Sequence, residues 1–462
     1  MQSRRDMAHA QKYLGSRLSS ALLSGDPDAQ EPPSRRDTRG LVGGFAIAGL
    51  LVVGIGAFAL LFPSGSTAWQ QPNTLIVDEA GSGRYFLVDG LLRPVLNMAS
   101  ARLIAGANLK VVAVSAKTLA GTPRGAPLGI AGAPDGLPTA GLPPGVWRDC
   151  ATTPNDPLPA SGSVRDVVEI ASADAGTPAE PLLVRAGATR YVVIGGKAHR
   201  VAADFVADAL GLGQVPPVDV SEQWLALLPR GGDLAPLDVP HAGQPGPEID
   251  GKAPRIGQLF DTATSHDSTG HFQLRADGLL MLSPLQFQLA AAQQGGQRAV
   301  LSAYALAHAS RAVAPAGAAD MPAEVPAVGQ PQAGQVPCVQ TRPAREAADP
   351  QVVLAPLATG AHPAPPAGNT DATPTTAVLV PPARGAVVAT RLPDYTTFSN
   401  VYLVSDDGSA SPIADSNALS ALGYSLDQVV LVTPQWLSLL PPGPELAKPA
   451  IPVPTGRSSS GT

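Results

Sequence analysis

Residues 41–62 read LVGGFAIAGLLVVGIGAFALLF, a run without a charge or a proline. As an α-helix this run would be roughly 33 Å long at about 1.5 Å per residue, close to the hydrocarbon core of a bilayer at about 30 Å. It starts too late in the chain for a secretory signal peptide, and it lacks the polar face of a soluble core helix. The run therefore predicts a retained transmembrane helix, around which the rest of the chain is organised.

The charges on either side of this segment predict its orientation. Three arginines lie within the six residues that precede it, whereas the first charge after it is Asp78. Cytoplasmic flanks carry the excess of basic residues in membrane proteins. The sequence therefore predicts a single-pass protein with residues 1–40 in the cytoplasm and residues 63–462 outside the membrane.

The overall charge and composition exclude some classes of function. The chain carries 31 basic and 37 acidic groups, and the excess of acidic groups falls after the apolar run. Such a surface has no reason to bind nucleic acid by neutralising phosphates. Glycine and proline together make up about a fifth of the chain and aromatic residues only 4%, which favours modest modules joined by linkers over one large core.

The inner tail has a periodic pattern of its own. Met7, Tyr13, Leu18 and Leu22 fall near one face of a helix spanning residues 7–23. The pattern predicts an amphipathic helix and leaves two locations open for it, the inner leaflet of the membrane or a cytoplasmic partner protein.

The outer part contains an internal repeat, which is best sought before any site. Three segments match without a gap: SAKTLAGTPRG at 115–125, SEQWLALLPRG at 221–231 and TPQWLSLLPPG at 433–443. Strand and turn signals lie at similar distances upstream of each, including the hairpin turn Asp89-Gly90. Each copy is predicted to contain a strand, a tight turn, a short strand, a helix, a further strand and a closing helix.

A third, degenerate copy begins at Phe272, and its Ala- and Gln-rich sequence is expected to replace the closing helix. In the second copy, Gly211 and Pro229 are expected to end the two helices. For that copy we predict a first helix at 202–210, a strand at 215–220 and a closing helix at 222–228.

Two tryptophans occupy matched positions in the predicted closing helices. Trp224 and Trp436 each lie 13 residues after a glycine. They are interpreted as structural anchors that pack the helix on its sheet, and ligand-binding aromatics are the alternative. The full set of predicted structural anchors is Trp224, Trp436, Gly211, Gly423, Pro229 and Pro441.

The chain has two cysteines, Cys150 and Cys338, and both lie in the part predicted to be outside the cytoplasm. Disulfides persist in such compartments, so one disulfide closing a loop of about 190 residues is predicted. A pair of free buried cysteines is the alternative.

Catalytic motifs are absent from the sequence. Gly195-Gly196-Lys197 lacks the earlier glycine and the following hydroxyl residue of a phosphate-binding loop, and it falls at a predicted hairpin turn. His266 and His271 lie near two aspartates, but in a stretch rich in Ser, Thr and Gly that is typical of a polar loop. We therefore predict no catalytic, cofactor-binding or metal-binding residues.

Several motifs together resemble one family. They include RDMAHAQKYLGSRLSSAL in the inner tail, YFLVDGLLRPVLNMASARLI at 85–104, GAPLGIAGAP at 125–134 and WRDC at 147–150, beside the single membrane helix and four repeats. The chain resembles EccB, a membrane component of the type VII (ESX) secretion system of actinobacteria. The resemblance covers nearly the whole chain, and the third copy departs most from the family pattern.

The resemblance implies a structural subunit of the secretion machinery in the inner membrane, with a periplasmic repeat domain. It implies EccC-, EccD- and EccE-like partners in a hexameric complex, with the mycosin protease nearby. ATP hydrolysis has been ascribed to the family, but the missing phosphate loop argues against transferring it. A likeness of the repeats to cell-wall-binding modules leaves peptidoglycan as another possible ligand.

The predicted fold class is α+β, with a single N-terminal transmembrane helix followed by an elongated extracytoplasmic domain of about four small αβ repeats around a central region. The predicted segments are a cytoplasmic tail at 1–40, the membrane helix at 41–62, repeat 1 at 63–125, a linker and central region with Cys150 at 126–180, repeat 2 at 181–235, degenerate repeat 3 at 255–311, a Pro/Ala/Gly-rich crossing with Cys338 at 312–390, repeat 4 at 391–447 and a disordered tail at 448–462.

Overall fold

The computed structural model describes residues 4–24, 67–80, 83–139, 144–152, 165–172, 176–179, 181–262, 270–346, 348–358, 362–364, 375–391 and 400–450. The predicted membrane helix at 41–62 lies outside these residues, and no helix among them is long and apolar enough to cross a membrane. The chain divides into two compact units, one of residues 1–71 with 114–121 and one of residues 72–113 with 122–462.

The first unit contains the helix predicted in the inner tail, α1, Arg4–Ser24. Its apolar side chains are 62 to 79% exposed at Met7, Tyr13, Leu14, Leu18 and Leu22. The choice between a membrane surface and a cytoplasmic partner for this helix therefore stays open.

The first repeat copy builds a four-stranded sheet in the order β3-β2-β1-β4. Asp89 and Gly90 take left-handed backbone angles in the hairpin turn between its second and third strands, as the Asp-Gly signal predicts. Its elements are β1 Thr74–Asp78, β2 Arg84–Val88, β3 Leu91–Pro94, α2 Met98–Ala105, β4 Lys110–Val114 and α3 Ala116–Leu119.

Three strands of a separate sheet follow, and then the second copy repeats the same strand order. The helices and the fourth strand of the second copy are shorter at their ends than the predicted ranges. The elements are β5 Val146–Ala151, β6 Asp166–Ser172 and β7 Thr177–Pro178, then β8 Leu182–Ala186, β9 Thr189–Ile194, β10 Lys197–Arg200, α4 Asp204–Ala209, β11 Val218–Asp219 and α5 Glu222–Ala226.

The third and fourth copies have the same order again, and in copies two to four the fourth strand pairs in parallel with the first. The third copy comprises β12 Leu259–Thr262, β13 His271–Arg275, β14 Gly278–Leu282, α6 Pro284–Gln293, β15 Arg298–Leu301 and α7 Ala303–His308. Next come β16 Val336–Thr341, β17 Gln351–Ala355, β18 His362–Ala364 and β19 Thr376–Leu379, and then β20 Ala386–Ala389, β21 Val401–Val404, β22 Ala410–Pro412, α8 Ser416–Leu422, β23 Val430–Leu431 and α9 Pro434–Ser438 of the fourth copy.

The third copy keeps its closing helix, which corrects the expectation that an Ala-rich sequence replaces it. The hydroxyl of Ser302 accepts a hydrogen bond from the backbone N–H of Ala305 at 3.0 Å, just as Ser221 accepts one from Trp224 at 2.8 Å. Ala305 takes the place of Trp224. The helix persists because its N-terminal cap is retained and alanine is the strongest helix former.

Two distant stretches of the chain form a seven-stranded central sheet, in the order β18-β19-β6-β5-β16-β17-β7. The composition of residues 312–384 predicts an irregular or partly extended connector, and the structure places four strands of the central sheet, β16 to β19, in this range. Short Val-rich runs such as Val352-Val353 supply the buried positions. Their partners lie far away in the sequence, β16 pairing with β5, so local composition gives no sign of the pairing. The result is a mixed α+β fold of several small sheets.

Candidate functional site

Trp224 and Trp436 pack in one apolar layer against the central sheet. Trp224 is fully buried and Trp436 is 2% exposed, and both share a core with Trp147 and Val168 of the sheet. The rings of Trp147 and Trp436 meet edge to face with their centroids 6.2 Å apart. This core, called the docking layer below, joins the closing helices of the second and fourth copies to one face of the sheet.

The glycines and prolines named beside these tryptophans lie at the helix ends. Gly211 and Gly423 have φ values of +70° and +96°, in the left-handed region that glycine adopts at low cost. The carbonyl oxygens of Pro229 and Pro441 each accept a backbone hydrogen bond of 2.9 Å from the third strand of their own copy. The prolines thus follow the closing helix at the point where the chain makes isolated parallel bridges to the third strand.

The opposite face of the central sheet carries the disulfide. Cys150 on β5 lies directly across from Cys338 on β16, and the two are bonded over a sequence separation of 188 residues, which confirms the predicted disulfide. Beside it, Nη2 of Arg148 lies 2.6 Å from Oε2 of Glu169, and these side chains are 5% and 6% exposed. A covalent bond and a buried ion pair therefore hold adjacent strands of the sheet together.

Two buried carboxyl groups were not predicted from the sequence. Asp149 on β5 faces Val168 on β6, and Asp166 faces Ala151 two positions along, so both aspartates project on the same side of the sheet as Trp147. Asp149 is fully buried and Asp166 is 1% exposed. The local sequences VWRDCA at 146–151 and DVVEIAS at 166–172 carry no signal that would have indicated them.

The environment of these carboxyls opposes ionisation. Burial, and to a lesser degree the neighbouring Asp166, raises the pKa of Asp149 well above its ordinary value. Burial raises the pKa of Asp166 to about 6, although a hydrogen bond with Ser221 and the charge of Arg165 act in the opposite direction. The face of the sheet that carries the docking layer therefore also carries acids that are protonated more readily than in the unfolded chain.

Asp166→Asn is expected to stabilise the protein at neutral pH and to flatten its pH dependence. The carboxyl titrates near 3.8 in the unfolded chain and at about 6 in the folded protein, so its contribution favours folding at low pH and is lost as the pH rises through about 6. The difference corresponds to about 3 kcal/mol. Urea unfolding between about pH 4 and pH 8 measures it, with the exposed Asp427→Asn as control. Parallel curves for wild type and Asp166→Asn would contradict the assignment.

The first helices pair the repeat copies with one another. Nη1 of Arg102 on α2 donates to the carbonyl oxygen of Leu422 at the end of α8, at 3.3 Å. Nε2 of Gln288 on α6 donates to the carbonyl oxygen of Ala209 at the end of α4, at 2.6 Å. Both bonds satisfy carbonyl groups that a helix leaves free at its C-terminus. Helix α2 thus packs on the fourth copy and the third copy packs on the second, whereas the second and fourth copies pack on the central sheet.

An arginine–aromatic contact recurs in three copies. After each closing helix the chain pairs with the third strand of the copy, and the arginine there lies over an aromatic ring of the second strand. The distances from the guanidinium carbon to the ring centroid are 5.0 Å for Arg124 and Tyr85, 4.7 Å for Arg230 and Tyr191, and 5.1 Å for Arg311 and Phe272. Such contacts contribute about 0.5–1 kcal/mol at exposed sites.

In the first, second and fourth copies a glycine follows this position, which holds Pro442 in the fourth copy, and it lies against a buried side chain of the third strand. A Cβ atom at Gly231 would overlap the imidazole of His199, and one at Gly443 would overlap the hydroxyl of Ser411. His199 is 3% exposed, and its Nδ1 lies 2.8 Å from the carbonyl oxygen of Gly232. In these copies the glycine is therefore required by close packing.

Gly231→Ala is expected to lower the free energy of unfolding by about 1–3 kcal/mol, because the added methyl group overpacks against His199. Gly121→Ala is the control, since a Cβ at that position meets no atom within 4 Å. Urea unfolding of both variants measures the difference. Equal stability of the two variants would contradict the packing argument.

The two motifs most specific to the resemblance bind each other. Oδ1 of Asn97 caps α2 by accepting from the N–H of Ser100 at 2.9 Å, and its Nδ2 donates to the carbonyl oxygen of Ile130 at 2.7 Å. The N–H of Ile130 donates to Oγ of Ser100 at 2.8 Å. Asp135 pairs with Arg84, and this hydrogen bond lowers the pKa of Asp135. These residues fix the segment 126–135 on α2.

The glycine-lysine stretch at 195–197 and the histidines near Asp261 have simple structural roles where they lie in the described part of the chain. Gly195 and Gly196 form the hairpin turn between β9 and β10, and Lys197 is exposed at the start of β10. Nδ1 of His271 lies 3.0 Å from Oδ1 of Asp261, whereas His266 lies outside the described residues. No group of three or more possible metal ligands occurs in the described part of the chain. The absence of catalytic, cofactor and metal residues stays a prediction.

These observations define a repeat-built protein in which two copies dock on a disulfide-linked sheet. The chain belongs to the family described as "Type VII secretion system ESX-1, transport TM domain B", whose model matches residues 1–455. It is 27% identical over 279 residues to "ESX-1 secretion system ATPase EccB1" of Mycolicibacterium smegmatis (strain MKD8), covering 58% of this chain and 57% of that protein. It is 27% identical over 303 residues to "ESX-5 secretion system ATPase EccB5" of Mycobacterium tuberculosis (strain ATCC 25618 / H37Rv), covering 62% and 58%. The matches thus span less than three fifths of these relatives.

Two solved structures share the fold. A chain of the intact ESX-5 inner membrane complex matches with a TM-score of 0.66 at 24% identity, covering 97% of this chain and 94% of that one. A chain of the EccB3 dimer from the ESX-3 core complex matches with a TM-score of 0.59 at 24% identity, covering 81% and 98%. At this level of identity the likeness concerns the fold.

Proposed function

We propose that this chain is a structural subunit of a type VII (ESX) protein secretion complex in the inner membrane, with the repeat copies and the central sheet in its periplasmic part. The family match over residues 1–455 carries the proposal. The fold shared with chains of the ESX-5 inner membrane complex and of its periplasmic assembly supports it. The disulfide between Cys150 and Cys338 fits a compartment outside the cytoplasm.

We propose that residues 41–62 anchor the chain as a single membrane helix, with residues 1–40 in the cytoplasm. The apolar run, the arginines before it and the words "TM domain" in the family description support this topology. Fusing a reporter that is active only outside the cytoplasm to residue 450 tests it. Activity is expected there and not from a fusion at residue 30, and the reverse pattern would overturn the topology.

The proposed partners are EccC-, EccD- and EccE-like membrane subunits, further copies of this chain in a hexameric assembly, and the mycosin protease near the repeat domain. The ESX-3 structure described as an EccB3 dimer supports association between copies. The exposed apolar side chains of α1 offer a surface for a cytoplasmic partner or for the inner leaflet.

ATP hydrolysis is a second candidate function, because the relatives are named ATPases. The structural proposal predicts that the purified full chain hydrolyses no more ATP than its Lys197→Ala variant. Hydrolysis that disappears on changing Lys197 would favour the enzyme. ATP would be the cofactor only under that alternative.

Peptidoglycan binding is a further alternative that the tryptophans do not favour. Trp224 and Trp436 lie in the docking layer, and neither ring offers a face to a polymer at the surface. Co-sedimentation of the full chain with purified cell wall tests this alternative directly.

Deleting the gene in its own organism tests the structural proposal. Proteins exported by the ESX system encoded with it are expected to disappear from the culture filtrate, and the wild-type gene and the Lys197→Ala variant are expected to restore them equally. An unchanged set of exported proteins would overturn the proposal.

A further inference from the structure

A cavity of about 960 Å³ opens in the third copy, and it shares no lining residue with the docking layer. One wall is the segment that leads into β12, at 236–243 and 255–258. The other wall is the stretch at 293–298 that joins α6 to β15. Among the described residues, the first, second and fourth copies have no counterpart of this long leading segment, which contains two short antiparallel bridges of its own.

The walls of this cavity are rich in hydrogen-bond donors. Arg255 and Arg298 line it, and Asp238 is the one acidic residue among the lining residues described. Nη1 of Arg255 donates to the carbonyl oxygen of Gly243 at 2.7 Å, and Nε of Arg298 lies 3.6 Å from Oδ2 of Asp261, which leaves further guanidinium N–H groups on both. Four side-chain amides complete the polar lining, those of Gln258, Gln293, Gln294 and Gln297.

A third arginine lies directly behind one wall. Arg275 is 7% exposed, and its Nη1 donates to the carbonyl oxygen of Asp238. Among the described residues, its Nε and Nη2 have no hydrogen-bond partner. Burial lowers the pKa of this guanidinium, against the smaller effects of Asp238 and Asp277. A buried cation with unused donors is costly unless an anion or another acceptor compensates it.

This arginine is particular to the third copy. In the aligned second strands, the same position holds Val88 and Ile194, and in the fourth copy it is Ser405, the residue directly after β21. The repeat fold therefore does not need a cation there. Arg275 occurs only in the copy that has the cavity. The buried charge is therefore related to the cavity and not to a requirement of the repeat fold.

We propose that this cavity binds a carboxylate-bearing ligand. Arg255 and Arg298 bind the carboxylate by charge-assisted hydrogen bonds, and Arg275 behind the wall adds favourable potential. The glutamine amides, which both donate and accept, bind the remaining polar groups of the ligand. No aromatic side chain occurs among the lining residues described, so stacking on a sugar or base ring is not part of the recognition. This binding is independent of the proposed role in secretion.

Calorimetric titration of the purified full chain in detergent tests the proposal, with glutarate, its neutral analogue glutaramide and the peptide N-acetyl-Glu-Glu as probes. Glutarate and the peptide are expected to bind and glutaramide is not. Tighter binding of the peptide than of glutarate would identify a protein segment as the ligand. Equal binding of the two would identify a small free acid as the ligand. Arg255→Gln and Arg298→Gln are each expected to weaken binding roughly 10- to 100-fold, the effect of losing a charged hydrogen bond.

Arg311→Gln is the matched control, because Arg311 lies in the same copy but over the ring of Phe272, outside the cavity lining. It is expected to leave binding unchanged. Because Arg275→Met changes a buried residue, its melting curve is recorded first, and if it folds it is expected to bind more weakly. Failure of both carboxylate probes to bind, equal binding of glutaramide, or an equal loss in Arg311→Gln would overturn the proposal.

Discussion

Replacing both Cys150 and Cys338 with alanine is expected to lower the free energy of unfolding by about 5 kcal/mol. The disulfide spans 188 residues, and closing a loop of that length removes about this much chain entropy from the unfolded state. Both cysteines are fully buried, and alanine leaves only a small cavity in their place. Guanidinium unfolding followed by tryptophan fluorescence reports the loss directly, because Trp147 in the docking layer is buried on the other face of the same strand.

Wild-type protein unfolded in the presence of a strong reductant is the control for this variant, and it is expected to match the double alanine variant. An unfolding midpoint that is unchanged in both would show that the disulfide does not hold the two halves of the central sheet together.

Trp224→Ala is expected to cost about 3–5 kcal/mol, the range for removing a large buried aromatic side chain. The ring is fully buried in the docking layer, and its loss weakens the contact between the second copy and the central sheet. Because the third copy packs on the second, both are expected to become more exposed to proteolysis or hydrogen exchange. Unfolding by guanidinium gives the energy, and hydrogen exchange gives the location.

Tyr304→Ala is the matched control for this change. Tyr304 is an aromatic residue of the closing helix α7 in the third copy, next to the position equivalent to Trp224, but it is 69% exposed. Its removal is expected to change stability by less than about 0.5 kcal/mol. Similar losses for the two variants would contradict the docking function of Trp224.

The repeat could be read from the sequence because its signals are local. Asp89-Gly90 and Gly195-Gly196 indicate hairpin turns, and the ungapped Ser-to-Gly segments indicate closing helices. The structure has turns at both pairs, and α5 and α9 lie within their segments. The closing helix of the third copy was not predicted, because Ala305 replaces the tryptophan that marks this helix in the second and fourth copies. The signal that remains is Ser302 followed nine residues later by an arginine, as in the second copy.

The central sheet could not be read from the sequence in the same way. Residues 336–341 read VPCVQT, and their partners on β5 lie far earlier in the chain. Whether two strands so far apart in the sequence pair depends on which side chains become buried together, and not on their local strand propensity. The buried Asp149 and Asp166, and the arginine-aromatic contacts, also depend on which side chains the fold brings together. Cys150 and Cys338 were the one long-range pair that the sequence itself indicated.

Purification of the full chain from membranes of its own organism, through a tag at the C-terminus, tests the central claim most directly. Mass spectrometry of the native particle then identifies what accompanies it. EccC-, EccD- and EccE-like subunits in one large particle with several copies of this chain are the predicted result. A chain that is recovered alone, or with cell-wall fragments in place of membrane subunits, would contradict the role as a structural subunit of a type VII secretion complex.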